Sequence, residues 1–237
     1  MTVRRSVESR RIELAGDELE YRLQRSSARR TLALVVREAQ LVVQAPWQLP
    51  LNRIEAAVES RADWIRARLA ASPVLPAPDW RDGMLLYWMG RETVLALDAR
   101  VRGVGFDGQV LRVAATEPAR VRNRVLAWYR TQAAKCFAGR MQRFLPALRR
   151  QPQALQLTSA RTRWGSCTRD GVIRINWRLV QASEAEIDYV LAHELAHLAH
   201  LDHSERFWDE LARLEPEFEL GRRRLREAGR RYQQISR

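Results

Sequence analysis

Lysine is nearly missing from this chain: Lys135 is the single one, so almost all of its 41 basic residues are arginine. Cysteine is scarce as well. Cys136 and Cys167 lie far apart and cannot form the disulfide framework of a small secreted domain, which agrees with a reducing compartment. No apolar run approaches the roughly 18 residues that a membrane span requires. The opening MTVRRSVESRRIEL has no apolar stretch after its arginines and does not read as a secretory signal. A soluble, cytoplasmic protein with no membrane partner is expected. An apolar content of 46% excludes a disordered chain, and 237 residues suffice for one large domain or two small ones with a real core.

Acidic residues are also missing from one place. Residues 1–118 carry 18 basic and 15 acidic side chains, and residues 153–237 carry 14 and 13, but 119–152 carries nine basic and none acidic. Most of the net charge of +13 therefore sits on one segment. A solvated basic face accounts for this, and so does a polyanionic partner such as nucleic acid. Trp128, Tyr129 and Phe137 lie in the same segment as candidates to stack on bases, although their helical spacing fits a core better.

Along the chain, 19–23, 31–36 and 41–45 alternate apolar and polar residues. The last two flank the polar turn Arg37-Glu38-Ala39-Gln40, as in a hairpin. Residues 51–71 place Ile54, Val58, Ile65 and Leu69 at helical spacing. Three prolines make 72–79 a loop. Short strands follow at 85–90, 93–97 and 109–114, so 1–116 reads as a β-rich lobe. Pro118 opens a long helix bounded by Pro146 and Pro152. Residues 154–159 and 172–176 read as strands. Ser183 and Glu186 form an S-x-x-E capping box for a helix expected to fail near Asp202, and Ser204 caps another running to Pro216. The last segment, 221–237, has seven arginines and one glutamate and reads as a solvated helix or basic tail.

The sharpest chemical signal is His193-Glu194-Leu195-Ala196-His197. Side chains four apart on a helix share a face, so both imidazoles can reach one zinc ion, with Glu194 beside them to take a proton from water that the metal activates. The chain's four histidines all fall between 193 and 203, and the motif sits on a segment that reads as helix on other grounds. A catalytic zinc takes three protein ligands. His200 lies about 10 Å from His193 along a continuous helix and is out of reach of a shared ion, which leaves it at the rim. His203 is better placed, because Asp202 and Ser204 favour a turn that folds it back. The alternative is a glutamate from the next helix: Glu205, Glu210 or Glu215.

A second signal is Arg163-Trp164-Gly165-Ser166-Cys167, followed by Ile175-Asn176-Trp177-Arg178-Leu179. The tryptophan–glycine pair suggests close backbone approach, and Cys167 reads as a small packed side chain rather than a nucleophile or ligand. Taken in order, R-W-G-S-C, I-N-W-R-L, Y-V-L-A-H-E-L-A-H-L and D-H-S-E-R-F-W resemble the bacterial YgjP-like metallopeptidase family, a relative of the SprT-like zinc proteases. The set covers 161–208, and weaker likeness extends upstream through R-R-T-L-x-L and L-L-Y-W-M-G. The resemblance implies an α+β fold with a zincin-type catalytic domain at 117–220 behind the N-terminal lobe. It implies Zn2+ held by His193, His197 and His203, Glu194 as general base, and the Trp164 segment along the cleft. Arg163 and Tyr189 are candidates to stabilise an oxyanion. The expected activity is hydrolysis of peptide bonds in a protein or peptide substrate. The rival readings are a nucleic-acid-associated module with structural zinc, a DNA-linked protease of the SprT-like type, and a scaffold that binds peptide without cutting it.

Overall fold

The computed structural model describes residues 3–14, 16–37, 39–70, 78–114, 117–233 and 235, with backbone only for Arg37. It is a mixed α+β chain of two compact units, Met1–Pro76 and Ala77–Arg237, each with its own apolar core.

In the first unit, β1 (Arg5–Leu14), β2 (Asp17–Ser26), β3 (Ala33–Arg37) and β4 (Gln40–Pro46) form one sheet in the order β1-β2-β4-β3. The expected hairpin of β3 and β4 is present and antiparallel, with Arg37 opposite Gln40, while β2 and β4 are parallel. β4 alternates cleanly: Leu41, Val43 and Ala45 are fully buried, together with Tyr21 and Leu23 of β2. The helical run after Pro50 is two helices, α1 (Leu51–Glu59) and α2 (Ala62–Ala70). The break falls at Ser60, whose hydroxyl donates to the Ala57 carbonyl at 3.0 Å; such back-bonding competes with helix continuation. Ile54, Val58 and Ile65 still point into one core. The expected loop at 72–79 lies outside the described residues except for 78 and 79.

The second unit opens with β5 (Leu85–Trp88), β6 (Arg91–Leu97), β7 (Val104–Phe106) and β8 (Val110–Val113), in the order β5-β6-β8-β7. This sheet packs on α3 (Pro118–Met141), which starts with proline in its first turn, where no helical N–H is lost. Val121, Val125, Tyr129, Ala133 and Phe137 are the fully buried stripe of α3, and the Tyr129 hydroxyl donates to the Tyr87 carbonyl at 2.6 Å. Trp128 packs against Trp88 and Phe106, so Trp128, Tyr129 and Phe137 belong to the core rather than to a stacking platform. Two of that segment's arginines are structural: Arg140 and Arg143 both pair with the buried Asp188.

The expected division at 116/117 falls inside this unit, because β5–β8 share the core of α3. The segment expected as a basic tail also differs. Most of it is α6 (Phe218–Tyr232), with Gly221, Leu225, Gly229 and Tyr232 buried.

A second sheet, in the order β10-β11-β9, joins β9 (Ala154–Thr158), β10 (Gly165–Cys167) and β11 (Val172–Asn176), with β10 at one edge. Chain reversal at the fully buried Asn176 leads through a 3-10 turn, Trp177–Gln181, into α4 (Glu184–Ala196). Ser183 precedes α4 as expected, and the Glu186 carboxylate accepts from its backbone N–H at 2.8 Å and its hydroxyl at 2.7 Å. The β5–β6 turn docks there: Met89 and Gly90 donate to the carbonyls of Val180 and Gln181, and a Cβ on Gly90 would come within 2.9 Å of Ser183. α4 ends at Ala196, earlier than expected, and α5 (Glu205–Leu214) follows a turn.

Candidate metal centre

α4 and the turn after it bring three of the four histidines together. His193 lies in the last turn of α4 and His197 is its C-cap in helical conformation, so the four-residue spacing holds although the helix stops. Asp202 then shapes the return: its Oδ1 accepts from the Ser204 backbone N–H at 3.3 Å and the Ser204 hydroxyl at 2.8 Å. That turn lays His203 beside the other two. One ring nitrogen from each of His193, His197 and His203 lies within 4.8 Å of the others, the one such cluster among the described residues. Cys167, Glu205, Glu210 and Glu215 are not in it. Glu210 is engaged with Arg213 at 2.7 Å, and burial holds the Cys167 thiol above its usual range.

The arrangement fits a tetrahedral metal ion. The Nε2 atoms of His193 and His203 are 3.3 Å apart, about the separation of two nitrogens held at 2.0–2.1 Å on tetrahedral directions. The Nδ1 of His197 donates to the His200 carbonyl at 2.9 Å, which leaves its Nε2 as an acceptor, the form a ligand must have. His200 thus serves through its main chain. The Nδ1 of His193 is buried with no partner, so that ring's polar contacts rest on what meets its other nitrogen. Burial pushes the His193 pKa down to about 4, helped by the charges of His197 and His203, and burial lowers His197 as well. Neutral imidazoles are the metal-binding form. Phe207, fully buried on α5, packs against all three rings, at 4.6 to 4.9 Å between centroids. It carried no sequence signal beyond its place in D-H-S-E-R-F-W.

Glu194 points from α4 toward the edge strand. It is 6% exposed, and desolvation raises its carboxyl to about 8 against the opposing pull of the Arg163 charge. A Cβ on Gly165 would sit 2.4 Å from Glu194 Oε1, so only glycine lets the β10 backbone approach this carboxylate. The segment leading into β10 is pinned by Asn176: its backbone N–H donates to the Trp164 carbonyl at 2.7 Å, and its side-chain amide donates to the carbonyls of Ala160 and Arg163. The Trp164 ring lies against Gly229 of α6 and edge-on to Tyr232.

One cavity of about 380 Å³ joins these parts. His193, Glu194, Tyr189 and Val190 of α4 line it, with Arg163, Trp164 and Gly165 before and in β10, and Arg222, Leu225 and Arg226 of α6. The sequence-predicted cleft residues Arg163, Trp164 and Tyr189 therefore meet at one place beside His193 and Glu194. Arg222 and Arg226 were missed because the arginine density of 221–237 reads as solvated; the i, i+4, i+8 spacing of Gly221, Leu225 and Gly229 was the available sign of a packed helix.

A mixed α+β unit that sets a cluster of three histidines beside a cleft lined by one of them, a buried glutamate and an edge strand has the makings of a metallohydrolase. The comparisons name the class: the family model described as YgjP-like, metallopeptidase domain, matches residues 30–228, and the chain belongs to that family. No curated protein and no solved structure matches it.

Proposed function

We propose that the protein is a zinc-dependent peptidase of the zincin type, with His193, His197 and His203 as metal ligands and Glu194 as general base. The observation that carries this reading is the convergence of three imidazoles with a desolvated carboxylate next to an edge strand. When bound, zinc supplies a Lewis acid that activates water and polarises a carbonyl. The chain's own residues do the rest. The β10 edge offers backbone hydrogen bonds to an extended peptide, as in strand addition, and Gly165 lets that peptide pass close to Glu194. Glu194 takes a proton on its carboxylate and returns it to the leaving amine; desolvation raises its pKa and so strengthens that carboxylate as a base. Tyr189 and Arg163, at the cavity wall, are the candidate donors to the negative charge that develops.

Glu194→Gln is expected to keep its metal and to lose at least about 100-fold in peptide hydrolysis, the usual scale of general-base catalysis. Full activity in that variant removes Glu194 from the reaction. His203→Ala is expected to lower zinc content, measured by elemental analysis, and His200→Ala to leave it nearly unchanged, because the His200 contribution is a carbonyl.

Nucleic-acid contact by 119–152 stands as a separate proposal. It is supported by the exposed Arg124, Arg130 and Lys135 on α3 and is weakened by the use of Arg140 and Arg143 in ion pairs. No helix among the described residues is long and apolar enough to cross a membrane.

A further inference from the structure

Water activation and proton transfer leave most of the cavity wall unused. Three arginines line it: Arg163 from the approach to β10, and Arg222 and Arg226 from α6. The two on α6 are four residues apart and share a face. Arg222 is held in place, 3.2 Å from Glu219 and with its guanidinium 4.8 Å from the Trp208 ring. No described carboxylate forms an ion pair with Arg163 or Arg226. The single acidic residue lining the cavity is Glu194, which is buried and committed to the reaction in the proposal above. Three positive side chains in a concave site, opposed only by Glu219 at Arg222 and by the desolvated Glu194 near Arg163, attract an anionic ligand.

The shape of the charges narrows the ligand. Guanidinium forks match the two oxygens of a carboxylate. Trp164, Val190 and Leu225 line the same cavity, apolar walls suited to a short aliphatic stem. The cavity reaches His193 and Glu194 directly, so whatever fills it lies next to the bond being cut. Resting on the peptidase reading, we infer that this cavity selects a substrate carboxylate adjoining the scissile bond, with Arg226 as its specificity determinant and Arg163 and Arg222 as further positive walls. The carboxylate has two possible sources: an internal aspartate or glutamate side chain, or the free C-terminus of the substrate.

The test uses the full zinc-loaded chain and three peptides of one sequence. One has glutamate beside the cleavage site and an amidated C-terminus, one has glutamine there and the same amide, and one has glutamine with a free C-terminal carboxylate next to the cut. Because Arg163 and Arg226 are solvent-exposed, screening tempers their pull. Expected kcat/KM for an acidic substrate exceeds that for the neutral one by about fivefold or more. That ratio falls toward one in Arg226→Gln, and Arg226→Glu turns it below one. Preference for the first peptide assigns the pocket to a side chain, and preference for the third assigns it to a chain terminus. Equal rates for all three overturn the inference. If no peptide is cut, the peptidase reading fails and the pocket is judged by binding to Glu194→Gln, followed by fluorescence anisotropy. Tighter binding of the acidic peptides, weakened by adding Arg226→Gln, upholds the inference, and equal affinities sink it.

Discussion

At Gly165, a single missing methyl group decides how closely backbone and carboxylate can approach. Any side chain at this position overlaps Glu194, whose Cγ and Cδ would lie 2.5 and 2.7 Å from the new Cβ. The carboxylate must then swing away from the histidines, since the β10 ladder holds the strand. Gly165→Ala is expected to keep its fold and its zinc but to lose about 100-fold in kcat, the scale that a 1 Å misplacement of a reacting group costs. Parallel measurement of circular dichroism, metal content and peptide hydrolysis checks this; unchanged kcat would show that Glu194 has room to spare. The ligand histidines were legible in the sequence because a four-residue spacing needs only helical geometry. The demand for glycine was not, because it arises from the packing of β10 on α4, two segments almost 30 positions apart.

Among the elements of the second unit, α4 is the one that α3, α5, α6, β10 and β11 all touch. Its outer side is tied to α3 through Asp188, 7% exposed, whose two oxygens take both nitrogens of the Arg140 fork at 2.6 Å and a further bond from Arg143. The paired carboxylate holds Arg140 protonated more firmly than usual. Without Asp188, Arg140 keeps Glu184 at 3.0 Å and Arg143 reaches solvent, so Asp188→Ala is expected to destabilise the fold by about 1.5–3 kcal/mol, the loss of charged hydrogen bonds. Urea denaturation reads this directly; a loss well under 1 kcal/mol would mean that the arginines find water instead. The inner side of α4 is covered by α6, where Gly221 would meet the Ala185 carbonyl at 2.3 Å if it carried a Cβ. Capping residues and proline placed the starts of α3, α4 and α5 within the sequence pattern. α6 was obscured because a helix so rich in arginine shows little apolar contrast, and β10 because three residues are too few to display alternation.

For the molecule as a whole, the strand orders repeat: β1-β2-β4-β3 in the first unit and β5-β6-β8-β7 in the second, each with two antiparallel hairpins joined by a parallel central pair. No repeat shows in the sequence, since alternation of apolar residues satisfies the same topology with many side chains. For the same reason 1–116 read as one β-rich lobe, although the buried residues sort into two cores that part at 76/77. The candidate ligands and the complete cavity belong to Ala77–Arg237. That fragment is expected to fold and to bind one equivalent of zinc as the full chain does, by calorimetric titration and thermal melting. Failure to bind would show that residues before 77 contribute to the centre.

One further consequence follows from the place of α6 in chain order. Every lining residue of the cavity outside α6, and all three clustered histidines, precede Arg222 and Arg226. During synthesis a nascent chain therefore acquires its three clustered histidines before the two α6 arginines that are proposed to help choose substrates. A ribosome halted between 204 and 221 would release a chain that carries those histidines and neither of the α6 arginines.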